Sequence, residues 1–298
     1  MDRTQRLAKF PITFFSIALG LSGFTVAWQK LEPLFLPASR TGAILPWFAL
    51  SVFGILLLVY IGKLLVHPGA VLAEWRHPVR ISFFPAISIS MLLLSVAFLD
   101  EARPFSFLLW SAGALLHLVL TLRIIGTWIN QEHFRIAHMN PAWFIPAVGN
   151  IVVPLAGVVH APLAISWFFF STGIIFWLAL FVIFLYRIIF HAPLADRLVP
   201  TLFILIAPPA VGFLSLSRLT GTITDTATVL YYFAAFMTLL LFSQARIFLR
   251  LNFFLSWWAY SFPLAAMTIA TVLMYKTSVD PFYEWLALAL AFLLTLLV

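Results

Sequence analysis

The 298-residue sequence contains no cysteine. That one absence excludes disulfides, thiolate metal sites, thiol redox chemistry and cysteine nucleophiles. Charge is almost as scarce. Asp, Glu, Lys and Arg make up 9% of the chain, against about 25% in a soluble domain. So little polar surface does not cover a water-soluble particle. The ten acidic residues all fall at the ends of apolar segments or between them, which leaves no carboxylate at mid-segment for a proton relay or a sodium site. Asp100-Glu101 reads as a solvated turn rather than a catalytic pair. No Asp-rich metal–diphosphate motif, Gly-rich phosphate loop or membrane-protease Ser/His arrangement occurs, so an enzyme is not expected. There is no run of five like charges either. The net charge of +7 and the pI near 10.1 therefore read as the loop bias of a membrane protein, with no nucleic-acid partner.

Hydrocarbon is what the chain has in excess. Apolar residues account for 63% of it, phenylalanine for 32 positions, and the mean hydropathy is +1.08. Charges and turn residues cut the sequence into ten apolar segments, at 10–29, 43–66, 80–99, 105–128, 141–160, 163–188, 199–218, 227–248, 252–275 and 281–298. Segments of this kind cover the roughly 30 Å of a bilayer's hydrocarbon as helices, at about 1.5 Å per residue. The division at His160 to Pro162 is the faintest. The expected fold is a single all-α, multi-pass integral membrane domain over 1–298. Its basic opening, Met1 to Lys9, runs into a full-length helix rather than a cleavable leader. Twelve of the seventeen Lys and Arg residues fall on one side of the ten segments. Five, Lys30, Arg40, Arg103, Arg218 and Lys276, fall on the other. The bias of Lys and Arg toward the cytoplasm then places both termini there.

Proline marks an internal repeat. Phe10-Pro11, Phe84-Pro85, Ile145-Pro146, Ala207-Pro208-Pro209 and Phe262-Pro263 fall on the odd-numbered segments, while the interiors of the even-numbered ones read as free of proline. Proline removes a backbone donor and crowds the carbonyl four residues earlier, so it kinks a helix. Backbone disturbed at membrane depth is tolerated where other helices or a watery cavity satisfy it. Five helical hairpins follow from this pattern, in a quasi-fivefold arrangement with kinked odd helices around a central pore and straight even helices outside. The competing explanation is that proline is frequent in spanning helices generally, and that Pro11 is an ordinary first-turn residue.

Seven histidines raise the question of a metal or haem. His67, His77, His133, His138 and His191 sit in loops or at segment ends without an i, i+4 partner. His117 is alone in an apolar segment, and His160 lies near an end. Local hydrogen bonding explains these positions, and neither a metal site nor a cofactor is expected. An uncharged, aromatic interior remains. Most of the phenylalanines pack between helices or face lipid, but Phe84 and Phe262 stand beside prolines, where a kink offers space.

Several stretches resemble the tellurite-resistance/dicarboxylate transporter family, which includes bacterial TehA-like proteins and the plant slow-type anion channels. Ser256 to Pro263, SWWAYSFP, is similar to that family's ninth helix. His77-Pro78-Val79-Arg80 with Ser82-Phe83 resembles the entry to its third, and Asn140 to Val148, NPAWFIPAV, its fifth. Phe15, Leu19 and Gly20 in FFSIALGLSGF, followed by Ala27-Trp28, resemble its first. The resemblance runs from about residue 10 to the end. It implies a homotrimer in a bacterial inner membrane, with a separate pore in each protomer lined by helices 1, 3, 5, 7 and 9. Phe262 takes the gate position, Phe15, Ser16 and Phe84 become pore-lining candidates, and Pro85, Pro146, Pro208 and Pro263 shape the path. Ser16-Ile17-Ala18 departs from the Gly-Ile-Pro of TehA-like members, and a serine there narrows and polarises the pore.

The expected function is passive passage of small anions such as chloride or nitrate through an uncharged pore. Such a pore binds ions weakly and lets them leave quickly. Basic residues at the cytoplasmic mouth would repel cations over a Debye length of about 8 Å. The alternative is a secondary carrier or exporter of oxyanions such as sulfite, malate or another dicarboxylate, or tellurite. A coupled carrier usually needs an ionisable group or a broken helix at the midplane.

Overall fold

The computed structural model describes residues 3–131 and 134–298; Glu132 and His133 lie outside them. Among the described residues the secondary structure is entirely helical. Ten long elements follow one another: α1 Ile12–Phe35, α2 Thr41–Val66, α3 Arg80–Ala97, α4 Arg103–Asn130, α5 Pro141–His160, α6 Leu163–Phe190, α7 Asp196–Thr220, α8 Asp225–Ser243, α9 Leu255–Ser278 and α10 Pro281–Leu297. The first nine are long and apolar enough to cross a membrane, and α10 is a shorter apolar helix. The faint division between α5 and α6 is a true break. Ala161 is extended, with φ −144° and ψ 166°, and α6 begins at Leu163.

The odd and even helices differ in burial. In the most apolar window of each, 61–89% of the residues are buried in α1, α3, α5, α7 and α9, against 22–39% in α2, α4, α6 and α8. The even helices instead present large side chains such as Leu58, Leu115, Val182, Leu239 and Phe292. An apolar exterior of this kind is stable only against hydrocarbon or other protein. The odd helices touch one another in sequence: α1 against α3, α3 against α5, α5 against α7, α7 against α9, and α9 back against α1. Each of α2, α4, α6 and α8 lies on the odd helix before it and on the odd helix after it, and α10 lies on α9 and α1.

The odd helices also begin differently. Each opens with a 3₁₀ stretch and then changes to α-helix: Ile12–Phe14, Arg80–Phe83, Pro141–Phe144, Asp196–Ile206 and Leu255–Tyr260. The even helices are α-helical from their first residue. 3₁₀ runs longer than three or four residues are uncommon, because their hydrogen bonds are less well aligned. The long ones in α7 and α9 pack side by side and support each other. Ser256 Oγ donates to the Arg197 carbonyl at 2.7 Å, and Phe203 meets Tyr260 edge to face at 4.6 Å between centroids.

This changes the expected role of the prolines. Pro85 is the first residue of the α-helical part of its span, Pro146 and Pro208 the second, and Pro263 the third. An α-helix's first turn has no internal acceptor for its N–H groups, so proline is cheap there. In α3, α5, α7 and α9 the helix type thus changes at the proline or just before it, and α5 is interrupted a second time at Val153, after which its α-helix restarts at Pro154. Two sequence readings need correction. Pro11 lies just before α1, and the even helices do contain a proline, Pro46 inside α2.

Not every loop charge is solvated. Glu74, on the short helix Pro68–Trp75 between α2 and α3, is buried beside Lys63 of α2, with Nζ to Oε2 at 2.7 Å. Tyr60 O–H donates to the same carboxylate at 2.9 Å, the Ile12 N–H donates to Oε1 at 3.2 Å, and Lys63 also donates to the Phe10 carbonyl at 2.8 Å. The cluster ties the entry of α1 to the α2–α3 connection. Arg187, in the last turn of α6, is buried too and donates to the Ala192 carbonyl at 2.6 Å.

Candidate functional site

Two cavities lie among the odd helices. The larger, about 350 Å³, is bounded by their C-terminal halves: Gly23 and Val26 of α1, Leu93 and Val96 of α3, Leu155 of α5, Val211 and Leu214 of α7, and Ala266 and Ile269 of α9. Its rim carries Lys30, Arg218 and Lys276. The smaller, about 30 Å³, is bounded by the N-terminal parts of the same helices, among them Ser16, Leu19, Phe83, Ile89, Ile145, Val148, Ala207 and Pro263. Only Phe262, among the described residues, lines both. Its ring therefore stands between a wide chamber and a nearly closed one.

The position of Phe262 follows from local sequence. It is the second residue of the α-helical part of α9, immediately after the six-residue 3₁₀ run, with Pro263 behind it. Small residues of α1 give the ring room. A Cβ built on Gly23 would come within 3.1 Å of Phe262 Cδ2, and one on Gly20 would collide with Ser261 Oγ. Any larger side chain at either glycine forces α1 and α9 apart or presses on the ring.

Of the other sequence candidates, Ser16 and Pro263 face the small cavity. Phe15 and Phe84 line neither cavity and are corrected here. Phe15 packs against Phe53 and Tyr60 of α2, at 6.2 and 5.7 Å between centroids, and Phe84 against Tyr60 and Trp75 at 6.2 and 4.9 Å. Both rings point outward to the neighbouring element, and Phe83 takes the inward position instead. Pro85, Pro146 and Pro208 line neither cavity; they occupy the helix-type junctions around it. The rim was missed altogether. Lys30, Arg218 and Lys276 belong to the minority side of the charge count, and the sequence reading looked for the basic mouth at the other end. Asp100, Arg218 and Lys276 all lie near enough to Lys30 to act on it electrostatically.

The histidines take local roles. His117 is fully buried; its Nε2 donates to the Pro146 carbonyl at 2.9 Å and its Nδ1 lies 2.8 Å from Ser88 Oγ, which links α4 to α3 and α5. His160 Nε2 is 2.8 Å from Ser106 Oγ. His77 Nδ1 accepts the N–H groups of Val79 and Arg80 at 3.1 and 3.3 Å, capping the entry to α3. Burial, then the cations of Arg80 and Arg197, then His138 hold His77 below the ordinary histidine value. No Asp, Glu or His is among the residues lining either cavity.

The helices and the paired cavities define a multi-pass membrane protein with an apolar interior chamber. Comparison with known proteins agrees. The voltage-dependent anion channel family SLAC1 matches residues 9–298, and the chain belongs to this family. It is 26% identical to an uncharacterised transporter of Methanocaldococcus jannaschii, over 97% of this chain and 90% of the relative. It is 27% identical to the tellurite resistance protein TehA homologue of Haemophilus influenzae, over 90% of this chain and 82% of the relative. With the S-type anion channel SLAH3 of Arabidopsis thaliana it shares 31% identity over 89% of this chain, which spans only 43% of that protein. The family's members are anion channels and transporters.

Proposed function

We propose that the protein is a passive anion channel whose path runs along the axis of the five odd helices, closed by Phe262. The carrying observation is that this one ring bounds both cavities. The contacts from α1 through α9 and back to α1 support a quasi-fivefold ring made from five hairpins, with the even helices outside it. An aromatic ring at such a level stops hydrated ions by filling volume and by dewetting the constriction. A bare ion in a low-dielectric interior costs tens of kcal/mol by an idealised Born estimate, so the path conducts only when it is wide enough to keep water around the ion.

The substrates on this reading are small anions such as chloride or nitrate. Lys30, Arg218 and Lys276 favour anions at the wide end, and the apolar wall below them binds ions too weakly to hold them. The absence of Asp, Glu and His from both linings, among the described residues, favours a channel over a proton-coupled carrier of oxyanions. The positive-inside bias puts the 3₁₀ entries and both termini in the cytoplasm, and the cationic rim on the outside. The exposed even helices leave broad apolar faces for lipid and for the homotrimer that the resemblance implies, with one path per protomer.

The test is Phe262→Ala, read for both chloride flux in vesicles and thermal stability. Flux should rise about two- to tenfold, the rate equivalent of removing a rotamer cost of order 0.5–1.5 kcal/mol, with little change in melting. A silent protein destabilised by about 3–5 kcal/mol would mean that Phe262 is a packing residue.

A further inference from the structure

The larger cavity holds its charge and its apolar surface at opposite ends. The three cations all stand at the rim, where Arg218 and Lys276 are exposed and Lys30 is half-buried. Below them the walls are Val26, Leu93, Val211, Leu214, Ala266 and Ile269, down to the Phe262 ring. Two of the three hydroxyl-bearing residues in the lining cannot help a deep anion, because their protons are already committed. Ser217 Oγ donates to the Phe213 carbonyl at 2.8 Å, and Thr277 Oγ1 to the carbonyls of Leu273 and Met274 at 3.1 and 3.0 Å. Donors for an anion are therefore concentrated at the mouth.

We propose that this cavity is a binding site for an amphipathic organic monocarboxylate. Its carboxylate sits among Lys30, Arg218 and Lys276, and its apolar body points down to Phe262. The one-ended charge selects a monoanion. A second carboxylate at the far end of a dicarboxylate would sit against Val211 and Phe262 with no donor, and an unpaired buried charge is costly. Size fits as well. An apolar cavity of about 150 Å³ takes up benzene, so about 350 Å³ holds a six-membered ring with its carboxylate at the rim. Asp100 beside Lys30 lowers the rim's net charge but leaves a cationic excess. A ligand seated on the face of Phe262 would hold the ring in its closed position, so occupancy from this side blocks the path. The site shares its cavity with the proposed conduction path, and the sidedness of block rests on that reading. Binding itself does not.

The experiment is equilibrium dialysis of radiolabelled cyclohexanecarboxylate against the full-length protein in nanodiscs, with empty nanodiscs as the partition baseline. Saturable binding above the baseline is expected. Acetate, which lacks the apolar body, should compete about a hundredfold more weakly. Cyclohexanemethanol, which lacks the charge, should compete about tenfold more weakly, and the triple variant Lys30→Gln, Arg218→Gln, Lys276→Gln should lose about tenfold in affinity. Ala266→Trp, which fills the chamber, should abolish binding; the triple variant, altered only around the rim, serves where Ala266→Trp does not fold. Binding no greater than the baseline overturns the proposal, and so does equal affinity for the acid, the alcohol and the triple variant. Chloride flux through Phe262→Ala reconstituted in vesicles, set beside binding to the wild-type protein, separates the two readings. Flux without carboxylate binding defeats the site and spares the channel, whereas binding without flux defeats the channel and spares the site.

Discussion

The two ends of the odd helices are built on different principles. At their N-terminal ends, 3₁₀ entries crowd together, aromatic rings fill the gaps, and a cavity of only about 30 Å³ remains. At their C-terminal ends the same five elements are α-helical, α5 with an interruption at Val153, around about 350 Å³, with cations at the rim. The change in helix type falls at the narrow end: Phe83, Ile204, Trp258 and Ala259 of the small cavity's lining are 3₁₀, while Ser16, Leu19, Ile89, Ile145 and Val148 are already α-helical. A 3₁₀ helix rises about 2.0 Å per residue against about 1.5 Å in an α-helix, and it turns every three residues rather than every 3.6. Its side chains therefore line up in a tighter row and pack closer to the axis. In α9, where Trp258 and Ala259 of the 3₁₀ run line the small cavity together with Phe262 and Pro263, the ring stands directly beside the switch.

Phe262→Ala is the strongest challenge to this contrast in transport, since it would join the two cavities. For stability the largest effect should come from the narrow end. Glu74→Ala leaves the Lys63 ammonium buried without its counter-charge and takes an acceptor from Tyr60 and Ile12. Loss of one partner of a buried pair costs about 3–5 kcal/mol, which denaturation in detergent would register as a marked fall in melting temperature. Asp100→Asn, at the exposed turn on the wide end, should change melting by no more than about 0.5 kcal/mol. Similar effects at the two sites would show that the ends do not differ in packing as described.

Gly23→Ala tests the junction itself. The added methyl group lies within 3.1 Å of the Phe262 ring and takes away part of the space in which it turns. Chloride flux should fall in the wild-type background and stay unchanged when combined with Phe262→Ala. An equal fall in both backgrounds would mean that the methyl group acts on helix spacing rather than on the ring.

The smallest expected effect concerns His77 at the entry to α3. Its Nδ1 accepts two backbone N–H groups, an arrangement that needs that nitrogen unprotonated. The folded protein holds the group below its ordinary value, through burial first and then through Arg80, Arg197 and His138. The folded state thus favours the neutral ring, and its contribution is fully present above the ordinary value of about 6.5. That contribution is lost as pH falls through the depressed folded value. Melting temperature measured from pH 7.5 downward should drop less steeply in His77→Asn, which keeps a capping acceptor without titrating. Identical slopes would remove His77 from the account.

The helices were legible because a bilayer imposes a length and a composition that show residue by residue. The ten segments read from the sequence correspond to the ten helices, down to the faint break at Ala161. Inside and outside were legible in the prolines, since the marked helices are the buried ones. The family was legible in SWWAYSFP and the stretches that precede it. Side-chain direction was not. Phe15 and Phe84 sit beside the right positions, but one residue along a helix rotates a side chain by about 100°. Ser16 and Phe83 accordingly face the interior while the two predicted rings face α2 and the connecting helix.

Composition and spacing by themselves determined that this chain is a bundle of spanning helices with little charge at depth, because an unpaired polar group in hydrocarbon is too costly to be placed at random. Only the tertiary structure decided which ends converge. Lys30, Arg218 and Lys276 are distant in sequence and look like ordinary loop charges, yet the packing of α1, α7 and α9 brings them to one rim. Glu74 likewise looks like a surface residue until Lys63, Tyr60 and Ile12 close around it. Electrostatic sites of this kind depend on distances between separate helices; for Lys30 and Lys276 one such distance is set by how closely α1 and α9 approach across Gly20 and Gly23.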